Sequence, residues 1–385
     1  MIRKLTAFVL SVCMIWTCVS CGTPDGAENG KRDTDISPAL TYSHSMETVY
    51  AEKFAVDYYE DGYTLLTIAD ESRYLVVPEG LSVPEGLEQD IVPLLQPLDH
   101  VYLVASAVMD MFVALDALEL VRFSGMKAEG WYIEEAREAV ESGEILYAGN
   151  YSAPDYEKIV SEGCGLAIEN TMIYHNPEVK EQLERLEIPV LVDHSSYEAE
   201  PLGRTEWVKL YGVLADREEE AEEAFQAEME AFTSVSGGEE FDKTVAFFYI
   251  TSNGEANVRN SEDYLPKMIQ MAGGRYIFED LGEPGREEGT VSSTVTMQME
   301  QFYAEAKEAD YIIYNSAIEG ELSSVEELID KSSLLENFQA VKDGNVYCTT
   351  KNLYQSSMEL GTMIRDIHEM LAGKDDGLTY LYRLE

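Results

Sequence analysis

The chain is poor in basic residues, histidine and cysteine, and each shortage removes a class of function. Lysine and arginine number 27 against 73 aspartates and glutamates, a formal net charge of −46 over 385 residues. Such a field repels phosphate backbones and anionic headgroups, which excludes nucleic-acid binding and broad contact with an acidic lipid surface. Excess acid is also the ordinary way to keep an exposed domain soluble. The five histidines are scattered, too thinly for a zinc or manganese receptor, which gathers imidazoles with carboxylates. Five cysteines do not make a disulfide framework. Gly-x-Ser-x-Gly, His-Glu-x-x-His, P-loop and Gly-x-Gly-x-x-Gly patterns are missing. Asp193-His194-Ser195-Ser196 holds the residue types of a hydrolase triad, but adjacent side chains cannot form the relay. No enzyme is expected. Beyond the first residues no run approaches the roughly 18 apolar residues of a spanning helix.

What is present begins at the first residues. Arg3 and Lys4 precede an apolar stretch from Leu5 to Trp16, too short for a comfortable span and suited to a signal-peptide core. It runs into Cys18-Val19-Ser20-Cys21-Gly22. A cysteine directly after a small residue resembles a lipobox, although Cys18 stands where such motifs carry Leu; a plain secreted leader is the alternative. The expectation is a signal peptide over 1–21 with Cys21 lipidated, a polar flexible tether over 22–45, and a protein outside the cell anchored to its membrane. Cys164 and Cys348 then remain, read as small buried apolar residues without a bridge.

The apolar fraction of 45% fits a folded protein long enough for two domains. Phe54–Tyr59, Asp61-Gly62 and Tyr63–Ile68 read as a hairpin. Short apolar runs at 101–105, 145–148, 166–168 and 189–192 then alternate with helical spacing at 110–120, 155–162 and 178–186. A helical stretch follows, Thr205–Leu214 and then Asp216 to about Thr233, with Asp216 as an N-cap. Its run Glu218, Glu219, Glu220, Glu222, Glu223 is read as a solvated face, the alternative being a cation site. A second alternation places strands at 245–250, 311–314 and 345–348 and helices at 264–272, 298–308 and 357–371. Strands alternating with helices imply parallel sheets. The expected fold is α/β: a first lobe over 46–214, an interlobe helix over 215–236 and a second lobe over 237–385.

Over roughly residues 50–375 the chain resembles the ABC-importer binding proteins for iron-siderophore, haem and cobalamin. Gly149-Asn-Tyr-Ser-Ala-Pro-Asp-Tyr-Glu157 followed by Leu166-Ala-Ile168 is similar to one family segment. Met299-Glu300-Gln-Phe followed by Ala309-Asp310-Tyr-Ile-Ile313 is similar to its counterpart in the second lobe. Ser195–Trp207 resembles a gut-type subgroup known as iron-transport receptors. The resemblance implies two Rossmann-like lobes on a helical backbone, the periplasmic-binding-protein fold, with ligand between them. It also implies docking of Glu157 and Glu300 on arginines of a permease dimer, where paired charge sets register. The implied ligand is a ferric chelate (siderophore or haem) or a corrinoid, bound by a monomer that needs no cofactor. A surface adhesin or scaffold without small ligand is the other class.

Open α/β sheets bind ligands outside the carboxyl ends of their strands. That rule selects Ser106, Asn150, Tyr151 and Asn170 in the first lobe, and Asn253, Arg259 and Asn315 in the second. Lys127 and Trp131 join them from a Gly-rich loop, Trp131 as a surface for a flat ligand. Arg204, after a Pro-Leu-Gly turn, either enters the cleft to meet an anionic group or braces the hinge against local acids.

Overall fold

A computed structural model of the chain describes residues 34–237, 240–281 and 293–385. The leader, Cys21 and the first half of the polar tether lie outside the described residues. Each lobe is built on a parallel sheet, as the alternation requires. In the first lobe the strand order is Val190–Asp193, Leu166–Asn170, Val101–Leu103, Val121–Ser124, Leu146–Tyr147, every pair parallel. In the second, Thr244–Ile250, Tyr311–Tyr314 and Val346–Thr349 run parallel at the centre. Antiparallel strands extend it on both sides, Ala256–Arg259 with Thr294–Met297 on one edge and Leu381–Arg383 on the other. The central runs are apolar because helices cover both faces. In the first lobe Leu103 and Ile168 pack on one side with Val108, Phe112 and Trp207. Tyr102, Ala167 and Val192 pack on the other with Ile159 and Leu183.

A third sheet stands before the lobes. Tyr42–Ser45, Phe54–Tyr59, Thr64–Ile68 and Arg73–Val77 form an antiparallel meander, with Ile91–Leu95 added in parallel. The predicted hairpin is inside it, turned at Asp61 and Gly62, both at positive φ. The structured part starts earlier than a tether over 22–45 allows. Ile36 is 1% exposed, packed with Leu65, Leu75 and Ile91. The strand Tyr42–Ser45 at the edge of this sheet is largely exposed, which accounts for its polar composition.

The connector differs in detail from the sequence reading. Pro201 opens the helix Pro201–Glu206, Trp207 interrupts it, and Val208–Ala215 follows. Asp216 is not an N-cap: it sits at φ 55, ψ 47 and terminates the preceding helix, a left-handed position that a short polar side chain tolerates. The helix Glu218–Thr233 buries Ala221 and Phe225 and leaves its acidic face exposed. It packs against Val208–Ala215 on one side and against the last helix, Leu360–Leu371, on the other. Cys164 and Cys348 are free thiols.

Candidate functional site

The carboxyl ends of both parallel sheets open into a cleft between the lobes. Its inner part is a cavity of about 290 Å³, bounded by Ser106, Asn170, Asp193, Ser195 and Arg204 of the first lobe and Tyr264, Leu353, Tyr354 and Ser357 of the second. An outer cavity of about 600 Å³ shares Thr171, Ser196, Arg204, Tyr264 and Tyr354 with it and adds Arg259, Asn260 and Asp263.

On the first-lobe wall, Ser106 starts a helix directly after the strand Val101–Leu103. The Asn170 side chain accepts from the Met172 amide at 3.0 Å and donates to the Val104 carbonyl at 3.4 Å. Asp193 ends its strand as a buried carboxylate. It accepts from the Ser195 amide and hydroxyl (3.2 and 2.6 Å) and from the Tyr211 hydroxyl (2.7 Å). Burial pushes its carboxyl above the usual range while those donors oppose the shift. His194 turns the other way, its Nε2 at 3.0 Å from the Tyr174 hydroxyl and 4.0 Å from Asp70. Ser195 therefore has Asp193, not an imidazole, as its partner, and no nucleophile–base pair forms.

Two guanidinium groups approach one aromatic ring from opposite lobes. Arg204 donates to the Ser196 carbonyl and, at 3.2 Å, to that of Glu198. Its guanidinium lies 3.6 Å from the centre of the Tyr264 ring of the second lobe. Burial pulls its pKa below the ordinary value. Arg259 ends the strand Ala256–Arg259, is 8% exposed, and lies 6.0 Å from the same ring. It donates to the Tyr354 hydroxyl at 2.9 Å and pairs with Asp263 at 3.5 Å. Asn315 donates to the same hydroxyl at 2.7 Å. Tyr354 itself lines both cavities, its oxygen held by these two donors. The arrangement suits an oxygen-rich anion: cationic forks, a hydroxyl and an aromatic floor in a chain otherwise strongly acidic.

Ser106, Asn170, Arg204 and Arg259 thus line the cleft, and Asn315 reaches it through Tyr354. The other candidates stand elsewhere. Trp131 is 2% exposed in the first-lobe core, its indole N–H donated to Ser124 Oγ at 3.1 Å, so neither face is offered to a ligand. Lys127 is exposed and sits 5.6 Å from the Tyr147 ring. Asn150 is exposed in a tight two-stranded turn, accepting from Ser152. Tyr151 packs against the outer layer of the first lobe. Asn253 is exposed in the turn between Thr244–Ile250 and Ala256–Arg259. These side chains follow strand ends, but none of them lines either cavity. Glu157 and Glu300 are exposed in the first turns of the helices Tyr156–Ser161 and Met299–Ala306. Tyr264, Tyr354 and Asp193 were not among the candidates. The strand-end rule reaches Asp193 and the loop after Val346–Thr349 that carries Tyr354; Tyr264, the first residue of the helix Tyr264–Met271 capped by Asp263, gave no separate signal.

Fold and cleft together define a two-lobed α/β architecture shared with periplasmic solute-binding proteins. A periplasmic binding protein from Veillonella parvula aligns with a TM-score of 0.59, 15% identity, and coverage of 76% of this chain and 97% of its own. A periplasmic haem-binding protein from Pseudomonas aeruginosa gives 0.56, 14%, and coverage of 74% and 98%. One from Vibrio cholerae gives 0.55, 15%, and coverage of 69% and 97%. At such identities the likeness is one of fold. In sequence, the chain is 24% identical over 386 residues to an uncharacterized lipoprotein of Methanocaldococcus jannaschii, covering 92% of this chain and 89% of that one. It is 22% identical to a second uncharacterized lipoprotein of that organism over the full length of both. No family model matches the chain.

Proposed function

We propose that the protein is the extracytoplasmic binding component of an ABC importer, lipid-anchored through Cys21, which captures an anionic iron chelate, a siderophore or haem, and delivers it to a membrane permease. The observation that carries this is the meeting of Arg204 and Arg259 from opposite lobes on Tyr264. In a chain of net charge −46, two arginines on one cavity, set against Glu262 and Asp263 on the same wall, support a ligand of opposite sign. Solved structures of the same fold include haem-binding proteins, and two sequence relatives carry the name lipoprotein. The protein acts by binding alone, as a monomer without a resident cofactor. Glu157 and Glu300, one exposed acid on each lobe, are the docking contacts for a permease dimer.

A thermal-shift screen of residues 22–385 against ferric catecholates, ferric hydroxamates, haem and cobalamins tests the reading. A ligand at a hundred times its dissociation constant stabilises the fold by about 2.7 kcal/mol. An anionic chelate is expected to raise the melting temperature, and Arg204→Gln to remove that shift. A shift by cobalamin alone, untouched by Arg204→Gln, moves the ligand to a corrinoid. No shift with any class sinks the chelate reading in favour of a surface scaffold.

A further inference from the structure

Behind the cleft, one segment of the second lobe is fastened to the first. Gln355 donates to the Gly130 carbonyl at 2.8 Å and accepts from the Tyr132 amide at 2.8 Å. Ser357 Oγ donates to the Ala107 carbonyl at 2.6 Å, and its own carbonyl accepts from Thr205 at 3.0 Å. The Met358 amide donates to Asp110 at 2.8 Å, and the Thr362 amide to Glu228 at 3.2 Å. Met358 itself is buried in the first-lobe core. At Gly361 the backbone touches the connector helix so closely that a Cβ would lie 2.2 Å from the Glu228 carbonyl oxygen. The same segment supplies Leu353, Tyr354, Ser357 and Leu360 to the cleft wall, so loosening this joint opens the cleft.

Carboxyls from four elements crowd the joint. Asp110 comes from the helix Ser106–Ala114, Glu228 from the connector, Glu359 from the fastened segment and Glu135 from the helix Glu134–Ser142. Asp110 faces Glu359, Glu228 and Glu135, and Glu359 faces Asp366 and Glu135. Glu228 faces Glu359, with Arg365 as the opposing charge. Among the described residues no such group is arranged to hold a metal ion.

We propose that this joint is a proton-operated latch, in which protonation of Asp110 and Glu228 holds the two lobes together and ionisation of both releases them. Burial pushes both carboxyls up to about 7, whereas an opened, hydrated joint returns them to the ordinary carboxylate range. Protons are thus bound more tightly by the closed joint. Between the ordinary range and pH 7 each group raises the open-to-closed ratio by at most about tenfold per pH unit.

The test needs no ligand, so its outcome is independent of the transport reading. Spin labels at Glu141→Cys and Glu305→Cys, exposed on opposite lobes, report the interlobe distance in the full chain with Cys164→Ser. Pulsed electron resonance is expected to show a single short distance at pH 5.5 and a longer, broader distribution at pH 8.5, the ratio levelling off above about pH 7. Asp110→Asn with Glu228→Gln is expected to stay closed throughout. Glu359→Gln, which removes a charge that raises both groups and so relieves repulsion in the ionised closed joint, is expected to keep the joint closed to higher pH and guards against misfolding of the double variant. A distance that does not change with pH, or an unchanged transition in both variants, overturns the proposal.

Discussion

Two regions of the first lobe bury glutamates, and they solve the cost of doing so in opposite ways. At the seam with the N-terminal sheet, Glu206 is 0% exposed and accepts from the Val49, Tyr50 and Ala51 amides at 2.7–3.0 Å. Beside it Glu198 accepts from the Glu52 and Lys53 amides and from the Trp207 indole at 2.9 Å. Under the outer layer, Glu169 is also 0% exposed, yet neither of its oxygens has a hydrogen-bond partner among the described residues. Burial pushes its carboxyl up to about 8. A carboxylate can stay ionised in the interior when backbone donors replace its water; without them it keeps its proton. The first pair therefore acts as stitching between distant segments. The second is a liability whose size depends on pH.

Removing the stitching gives the largest effect. Glu206→Ala leaves the Val49, Tyr50 and Ala51 amides without their acceptor and Lys209, 3.3 Å from Glu206, with Glu222 alone. A loss of about 3–5 kcal/mol is expected, measured as a fall in the urea midpoint, with early amide exchange at 49–51. A loss below about 1 kcal/mol would mean that the N-terminal sheet is held by its apolar contacts instead.

The unpartnered acid sharpens the contrast through pH. The folded-state value of Glu169 is raised from 4.5 to about 8, so the stability it permits is full below the unfolded value and is lost as pH rises toward 8. The slope in that window is at most about 1.4 kcal/mol per pH unit. Glu169→Gln cannot ionise and is expected to remove that component, making the variant the more stable protein at pH 8 and leaving the two similar at pH 4.5. Parallel stability curves for variant and parent would contradict the neutral state.

The same contrast explains what the sequence could disclose. The strand–helix alternation of both lobes was legible because each parallel strand is a short apolar run bounded by turn residues, as at Tyr311–Tyr314 and Val190–Asp193. Arg204 and Arg259 were legible as cleft residues because cations are few and strand ends point at the opening. Trp131 was misread because a loop position does not reveal that its indole turns inward to Ser124. The N-terminal sheet appeared only as a hairpin, since the partners that fix it are far along the chain: Val49 and Glu206 are 157 residues apart. Among 73 acidic residues nothing local marks Glu206 or Glu169 as buried. Burial of a charge is a tertiary fact, set by donors from other segments.

The smallest effect lies on the solvated side of the same seam. Glu222 is 53% exposed at its side chain and bonds Lys209 Nζ at 2.9 Å, while Lys209 also lies 4.5 Å from the centre of the Phe225 ring. The Lys209 hydrogen bond holds the Glu222 carboxyl below its ordinary value. Its contribution is therefore present above the unfolded carboxyl range and is lost as pH falls through the folded one. Water and salt screen the exposed oxygen, so Glu222→Gln is expected to cost less than about 1 kcal/mol at pH 7 and nothing below that range. Chemical denaturation at low and high salt checks it, since the small loss should shrink as salt rises. A loss comparable to that of Glu206→Ala would show that Lys209 depends on Glu222 to stay at the seam, and the division between buried stitching and solvated surface would no longer hold there.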